Sequence, residues 1–238
     1  MRKVLSVAGI LCVMTMVSFA DTAAVTESET GQSFSGTADF GGNGHTLIGV
    51  GAREAYGAFN VYAAGFYVQT DSATTSWQRF LGREGASFVT DRTVNWSGLK
   101  DSTALYQWIH SSSFGKAIWM KFVRDVTGTQ VTDAYKESLK RSIDDFDAQY
   151  ANPETPLAKF FAAANHDVTN GSEMKLWTRG STVYLQMPGQ ALVTIPDASS
   201  IIRPIWRIWF GPNPIQVPLR RGMVNNIENL GGPAPAAQ

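Results

Sequence analysis

Cysteine is nearly absent from this chain: Cys12 is the only one in 238 residues. It lies in the apolar N-terminal stretch, so the chain beyond it has no disulfide, no thiolate metal ligand and no cysteine nucleophile. Its core alone must hold it. Histidine is also scarce. His45, His110 and His166 stand far apart, and none sits at metal-ligand spacing from another histidine or a carboxylate. They read as solvated or singly hydrogen-bonded imidazoles, and no metal is implied. Neither charge is in excess, because 20 basic and 20 acidic side chains cancel. With no surplus of Lys or Arg to neutralise phosphates, nucleic acid is excluded as a partner. No apolar run reaches the roughly 20 residues of a membrane span, so stable membrane insertion is not expected. Fixed-period repeats and a G-x-S-x-G elbow are missing, and no Pro/Gly/Ser-rich linker interrupts residues 35–230.

What is present is enough apolar content, 44% of residues, to build one sizeable core. Met1-Arg2-Lys3 is a short basic start, Val4 to Val17 is apolar, and Ser18-Phe19-Ala20 places small residues before Asp21. This pattern reads as a secretory signal peptide over residues 1–20, and hence a periplasmic or secreted protein. Leu11 before Cys12 argues against a lipoprotein. Removing Arg2 and Lys3 while keeping all 20 acidic groups leaves a net charge of −2. Residues 21–34 are polar and aperiodic and read as a flexible N-terminal segment. Residues 231–238 (GGPAPAAQ) read as a disordered tail, with one domain over 35–230.

Within that domain, Leu47 to Ala52 and Phe59 to Val68 are strand-like. The second carries apolar residues on both alternating sets, as a strand covered on both faces does. Lys116 to Val126 places Ile118, Met120 and Phe122 on one face. Met174 and Leu176 face Val183, Leu185 and Met187 across Arg179-Gly180-Ser181, a hairpin pattern. Val131, Tyr135, Leu139, Ile143, Phe146 and Tyr150 recur at spacings of three and four and predict one long amphipathic helix. Asp144, Asp145 and Asp147 fall on its polar side and read as a solvated face. Shorter helices are expected at 77–81, 105–109 and 157–164. A mostly apolar one over IIRPIWRIWF is capped by Ser199 or Ser200 and stopped by Gly211, with Trp206 and Trp209 packed in the core rather than on a membrane. Strands first, helices in the middle, then a hairpin and a last helix describe an α+β fold, an antiparallel sheet with helices on one face.

One side chain stands out. Gly49-Val50-Gly51-Ala52-Arg53 begins like a dinucleotide fingerprint, but the third glycine is missing and a strand follows. Arg53 therefore closes an apolar strand just before another that carries Tyr62. A guanidinium there needs a partner. It is either an internal carboxylate such as Glu54, Asp91 or Asp125, or the carboxylate or phenolate of a ligand held between sheet and helices.

Gly49-Val50-Gly51-Ala52-Arg53, with Tyr62-Ala63-Ala64-Gly65-Phe66-Tyr67 inside the next strand, resembles the G-x-G-x-R motif and following strand of chalcone isomerases. Lys121 to Thr129 leading into the long helix, and the last helix running into Trp209-Phe210-Gly211-Pro212, are similar in layout. The resemblance covers roughly residues 35–225 and implies an open-faced sandwich. In that family an arginine, matched by Arg53, fixes an anionic ring oxygen, while a threonine and a tyrosine help polarise the enone carbonyl. The threonine position holds Tyr62 here. The family's T-G-x-Q-Y is matched by Thr127-Gly128-Thr129-Gln130-Val131, so a valine replaces the tyrosine. Non-catalytic relatives bind fatty acids through an arginine and a tyrosine, which Arg53 and Tyr62 match. The resemblance thus implies a protein without cofactor that binds a small apolar anion, a fatty acid or a flavonoid-like molecule, through Arg53 and Tyr62. The alternative is an intramolecular lyase or isomerase acting on a chalcone-like enone, with Arg53 as its catalytic residue.

Overall fold

The computed structural model describes residues 23–55 and 59–233; the signal peptide expected over 1–20 lies outside the described residues. The chain opens with a short hairpin, β1 (Val25–Thr26) and β2 (Ser33–Phe34), followed by β3 (Thr37–Asp39), β4 (Gly44–Ala55) and β5 (Phe59–Gln69). Helix α1 (Thr70–Leu81), the small ladder β6 (Val89–Thr90) and β7 (Thr93–Val94), α2 (Trp96–Lys100) and α3 (Thr103–Ser111) lead to β8 (Lys116–Phe122). Three helices follow, α4 (Gly128–Lys140), α5 (Phe146–Ala151) and α6 (Pro156–Ala164). Strands β9 (Glu173–Arg179), β10 (Thr182–Gln186) and β11 (Val193–Ile195) and helices α7 (Ser199–Phe210) and α8 (Val217–Gly222) complete the order.

Seven strands form one antiparallel sheet in the order β11-β10-β9-β8-β5-β4-β3. In β5 the pleat sends Tyr62, Ala64, Phe66 and Val68 to the face that the helices cover. Ala63 and Tyr67 go to the other face, where they meet Leu47, Phe34, Phe40, Ala117 and Trp177 and no helical residue. The fold is α+β with its helices on one face, as the element order predicts.

Three local expectations are corrected. The segment 21–34 is not free along its length: β1 and β2 pair, and Phe34 is buried. A Cβ at Gly65 would come 2.7 Å from the Phe34 ring, so the glycine in β5 is what lets that ring lie on the sheet. The apolar stripe from Val131 to Tyr150 is carried by two helices rather than one. Asp145 adopts φ 54° between them, and the Ser142-Ile143-Asp144-Asp145 stretch offers side-chain oxygens that compete with helical hydrogen bonds. Helix α7 begins after Ala198 without a side-chain cap, so Pro204 lies inside it rather than in its first turn. Ile201, Ile205, Trp206, Ile208, Trp209 and Phe210 are all buried, as core packing requires. Among the described residues no helix is long and apolar enough to cross a membrane.

The strand alternation that buries Ile118, Met120 and Phe122 also turns Lys116 inward, and it is only 1% exposed. Its ammonium donates to the carbonyls of Ser112 at 2.6 Å and Phe114 at 3.3 Å and lies 4.5 Å from the Phe114 ring centre. Burial nevertheless pulls its pKa down to about 7. Between pH 7 and 10.5 the unfolded chain therefore binds a proton that the folded chain does not, so stability rises with pH across that window. Lys116→Met should raise stability at pH 7 by about 1–2 kcal/mol, the carbonyl contacts offsetting part of the desolvation cost. The advantage should shrink as the melts are moved toward pH 10; a variant less stable than the parent at pH 7 would refute this.

Candidate functional site

Arg53 on β4 and Tyr62 on β5 are cross-strand partners at the end of the β4–β5 ladder, next to a register shift between Arg53 and Glu54. Directly opposed residues share one face of a sheet, here the helix side. Both line a cleft of about 940 Å³ between the sheet and α4, bounded by Phe122 on β8, the turn at Arg124 to Val126, Val131 and Tyr135 on α4, and Ile215. That volume lies within the range of sites for small organic ligands. The residues singled out in the sequence thus come together in one cavity.

Arg53 is half-buried and donates from Nη1 to the Glu54 carbonyl and to Gln216 Oε1, the latter at 3.4 Å. Gln216 Oε1 also accepts the Glu54 backbone N–H at 2.9 Å, tying β4 to the start of α8. None of the three carboxylates considered from the sequence pairs with Arg53: among the described residues it forms no ion pair, and Asp125 is occupied by the Asn170 N–H at 2.8 Å. Among the described residues the guanidinium meets only neutral oxygens. Arg124, at the rim of the cleft, lies over the exposed Phe59 ring at 4.7 Å.

Tyr62 is 8% exposed, and its hydroxyl accepts from Trp209 Nε1 at 3.4 Å. Burial pushes its pKa up, with Trp209 and the Arg53 charge acting in the other direction. Helix α4 forms the opposite wall and is fixed by its start. Thr127 caps it in a reciprocal box with Gln130, and the Gly128 N–H donates to Asp167 at 2.7 Å. The T-G-T-Q stretch is therefore an N-cap motif whose next residue, Val131, faces the cleft with no hydroxyl. One turn on, Tyr135 lines the same cleft, its ring 6.1 Å from Trp209. Sequence periodicity placed Tyr135 on the inward stripe but could not tell a cleft wall from solid core. Gln216 carried no sequence signal. Among the described residues no three His, Cys, Asp or Glu side chains gather as a metal site would need.

A family model described as chalcone isomerase-like matches residues 99–225, just over half of the chain. The matched stretch begins after Arg53 and Tyr62 and takes in α4, the β9–β10 hairpin and α7. No curated protein matches the sequence. Among solved structures, a fatty-acid binding protein of Arabidopsis thaliana is similar, with a TM-score of 0.62 at 18% identity over 87% of this chain and 98% of that one. At that identity the likeness is one of fold.

Proposed function

We propose that this chain, which belongs to the chalcone isomerase-like family, is an exported protein that binds a small apolar anion, a fatty acid for example, without catalysing ring closure. The observation that carries the reading is Arg53, a cation lining the cleft whose partners among the described residues are neutral oxygens, beside the Tyr62 hydroxyl. An arginine fork and a phenol together suit a carboxylate. The similar Arabidopsis structure is that of a fatty-acid binding protein, which points the same way. Val131 supports the absence of ring closure, since losing one donor to a developing oxyanion costs about 10²-fold or more in rate. The basic and apolar start of the chain, residues 1–20, supports export.

The test is extraction of the purified protein followed by mass spectrometry, together with titration by dodecanoic acid. A bound acyl chain, or saturable binding of the acid, is expected. Tyr62→Phe should weaken that binding by about 1 kcal/mol while leaving packing intact. Incubation with chalcone should leave the enone absorbance unchanged; turnover that depends on Arg53 would replace this reading with the isomerase one.

A further inference from the structure

At the inner end of the cleft two buried phenol O–H groups have no oxygen or nitrogen acceptor among the described residues. Tyr135 is 5% exposed, and its hydroxyl reaches only thioethers, Met120 Sδ at 3.9 Å and Met174 Sδ at 3.8 Å. Sulfur is a weak acceptor, so this buried O–H lacks a good partner, a situation native cores seldom leave without a reason. Packing does not supply the reason. The ring contacts with Phe160 and Trp209, at 5.7 and 6.1 Å, would be made equally by phenylalanine. Tyr62 is in a similar state: its oxygen accepts from the Trp209 indole, and among the described residues its own proton meets no oxygen acceptor. Apart from Trp209, whose indole N–H is itself a donor, Phe122, Met120, Met174 and Val131 stand around the two phenols without an oxygen or nitrogen in their side chains, and the acceptors that also line the cleft, Asp125, Gln130, Asp133 and Glu137, are exposed residues.

We propose that Tyr135 is a ligand-binding residue, and that with Tyr62 it makes the inner end of the cleft a donor-rich seat for a proton-free oxygen, a carboxylate or ester carbonyl, in preference to an alcohol. The inference rests on the cleft being the apolar-anion site described above. A carboxylate or carbonyl brings lone pairs alone, and both phenols can donate to it. An alcohol brings a third O–H, for which the two phenol oxygens are the oxygen acceptors at hand, so one of the three O–H protons is left to sulfur or a ring face. Burial raises the pKa of Tyr135 and of Tyr62, which keeps both hydroxyls protonated, and therefore donors, at any physiological pH. Tyr62, cross-strand from Arg53 and bonded to Trp209, connects this seat to the arginine.

The test is calorimetric titration of the full chain and of Tyr135→Phe with dodecanoic acid, methyl dodecanoate and dodecanol. The ester and the alcohol are both uncharged, so their ratio reports the phenols and not Arg53. The native protein should bind the ester about fivefold or more tighter than the alcohol, and Tyr135→Phe should weaken acid and ester about tenfold while leaving the alcohol within about twofold. Its melting temperature should stay the same or rise, since a poorly partnered hydroxyl is removed. Equal losses for all three ligands, or an unchanged affinity for the acid, would overturn the proposal. Where the variant does not fold, an alcohol bound as tightly as the ester by the native protein overturns it. A native protein that binds none of the three removes the anion-site reading itself, whereas binding that needs Arg53 but not Tyr135 removes only this step.

Discussion

Gly49→Ala is expected to destabilise the protein by about 3 kcal/mol or more, toward the upper end of what overpacking costs. A Cβ on Gly49 would lie 2.4 Å from the Gly222 carbonyl oxygen, 2.5 Å from the Met223 carbonyl carbon and 2.7 Å from the Asn225 nitrogen. All three are backbone atoms, so no side chain can rotate away. The segment that carries them is pinned: Asn226 N–H donates to the Ile48 carbonyl at 2.9 Å, Asn229 to the Leu47 carbonyl at 3.0 Å, and Met223, Val224 and Ile227 are fully buried. Gly51 is similarly close to α8, with a Cβ at 2.8 Å from the Leu219 carbonyl. The matching control is Gly44→Ala on the same strand, where a Cβ meets nothing within 4 Å; it should change stability by no more than about 0.5 kcal/mol. Denaturant unfolding of the two variants side by side decides, and a Gly49→Ala protein as stable as the Gly44→Ala one would refute the account. Because the same close approach sets α8 against β4, where Gln216 meets Arg53, the first variant should also lose ligand binding.

That strand shows what the sequence could and could not reveal. The glycines of Gly49-Val50-Gly51 were legible as a motif ahead of Arg53, but not as a place where the backbone is closely approached. What approaches is residues 219–225, about 170 positions later, and no local pattern encodes so distant a partner. Strands β4, β5, β8, β9 and β10 and their order were readable because pleat alternation and apolar runs are local, whereas β3 and β11, three residues each, were not read. Lys116 was readable on the same grounds, standing on the inward set with Ile118 and Met120, yet a lysine invites a surface assignment. The Phe34 hairpin was hidden by the polar composition around it, since one buried ring among a dozen polar residues leaves no periodicity. Tyr135 shows the same limit in the candidate site: an apolar stripe on a helix looks identical whether it meets a packed sheet or the wall of a cavity.

Arg53→Ala should separate scaffold from function. If the guanidinium were half of a buried ion pair, its removal would strand a carboxylate and cost about 3–5 kcal/mol of stability. Among the described residues Arg53 forms no such pair. Arg53 gives up one contact to its neighbour's carbonyl and one to Gln216 at 3.4 Å, while the bond from Glu54 N–H to Gln216 at 2.9 Å, which joins β4 to α8, needs no arginine. The unliganded melting point should therefore fall by no more than an amount equivalent to about 1 kcal/mol. Affinity for dodecanoate should fall by about 1.5–3 kcal/mol, roughly 10- to 150-fold, the usual contribution of a charge-assisted hydrogen bond. Affinity for methyl dodecanoate should change much less, because the ester carries no charge for the guanidinium to meet. Arg53→Lys should fall between, keeping the charge but losing the planar fork. Melts with and without dodecanoate check both halves of the expectation: a large drop in the unliganded protein would make Arg53 a structural residue, and an undiminished ligand-induced shift would remove it from the site.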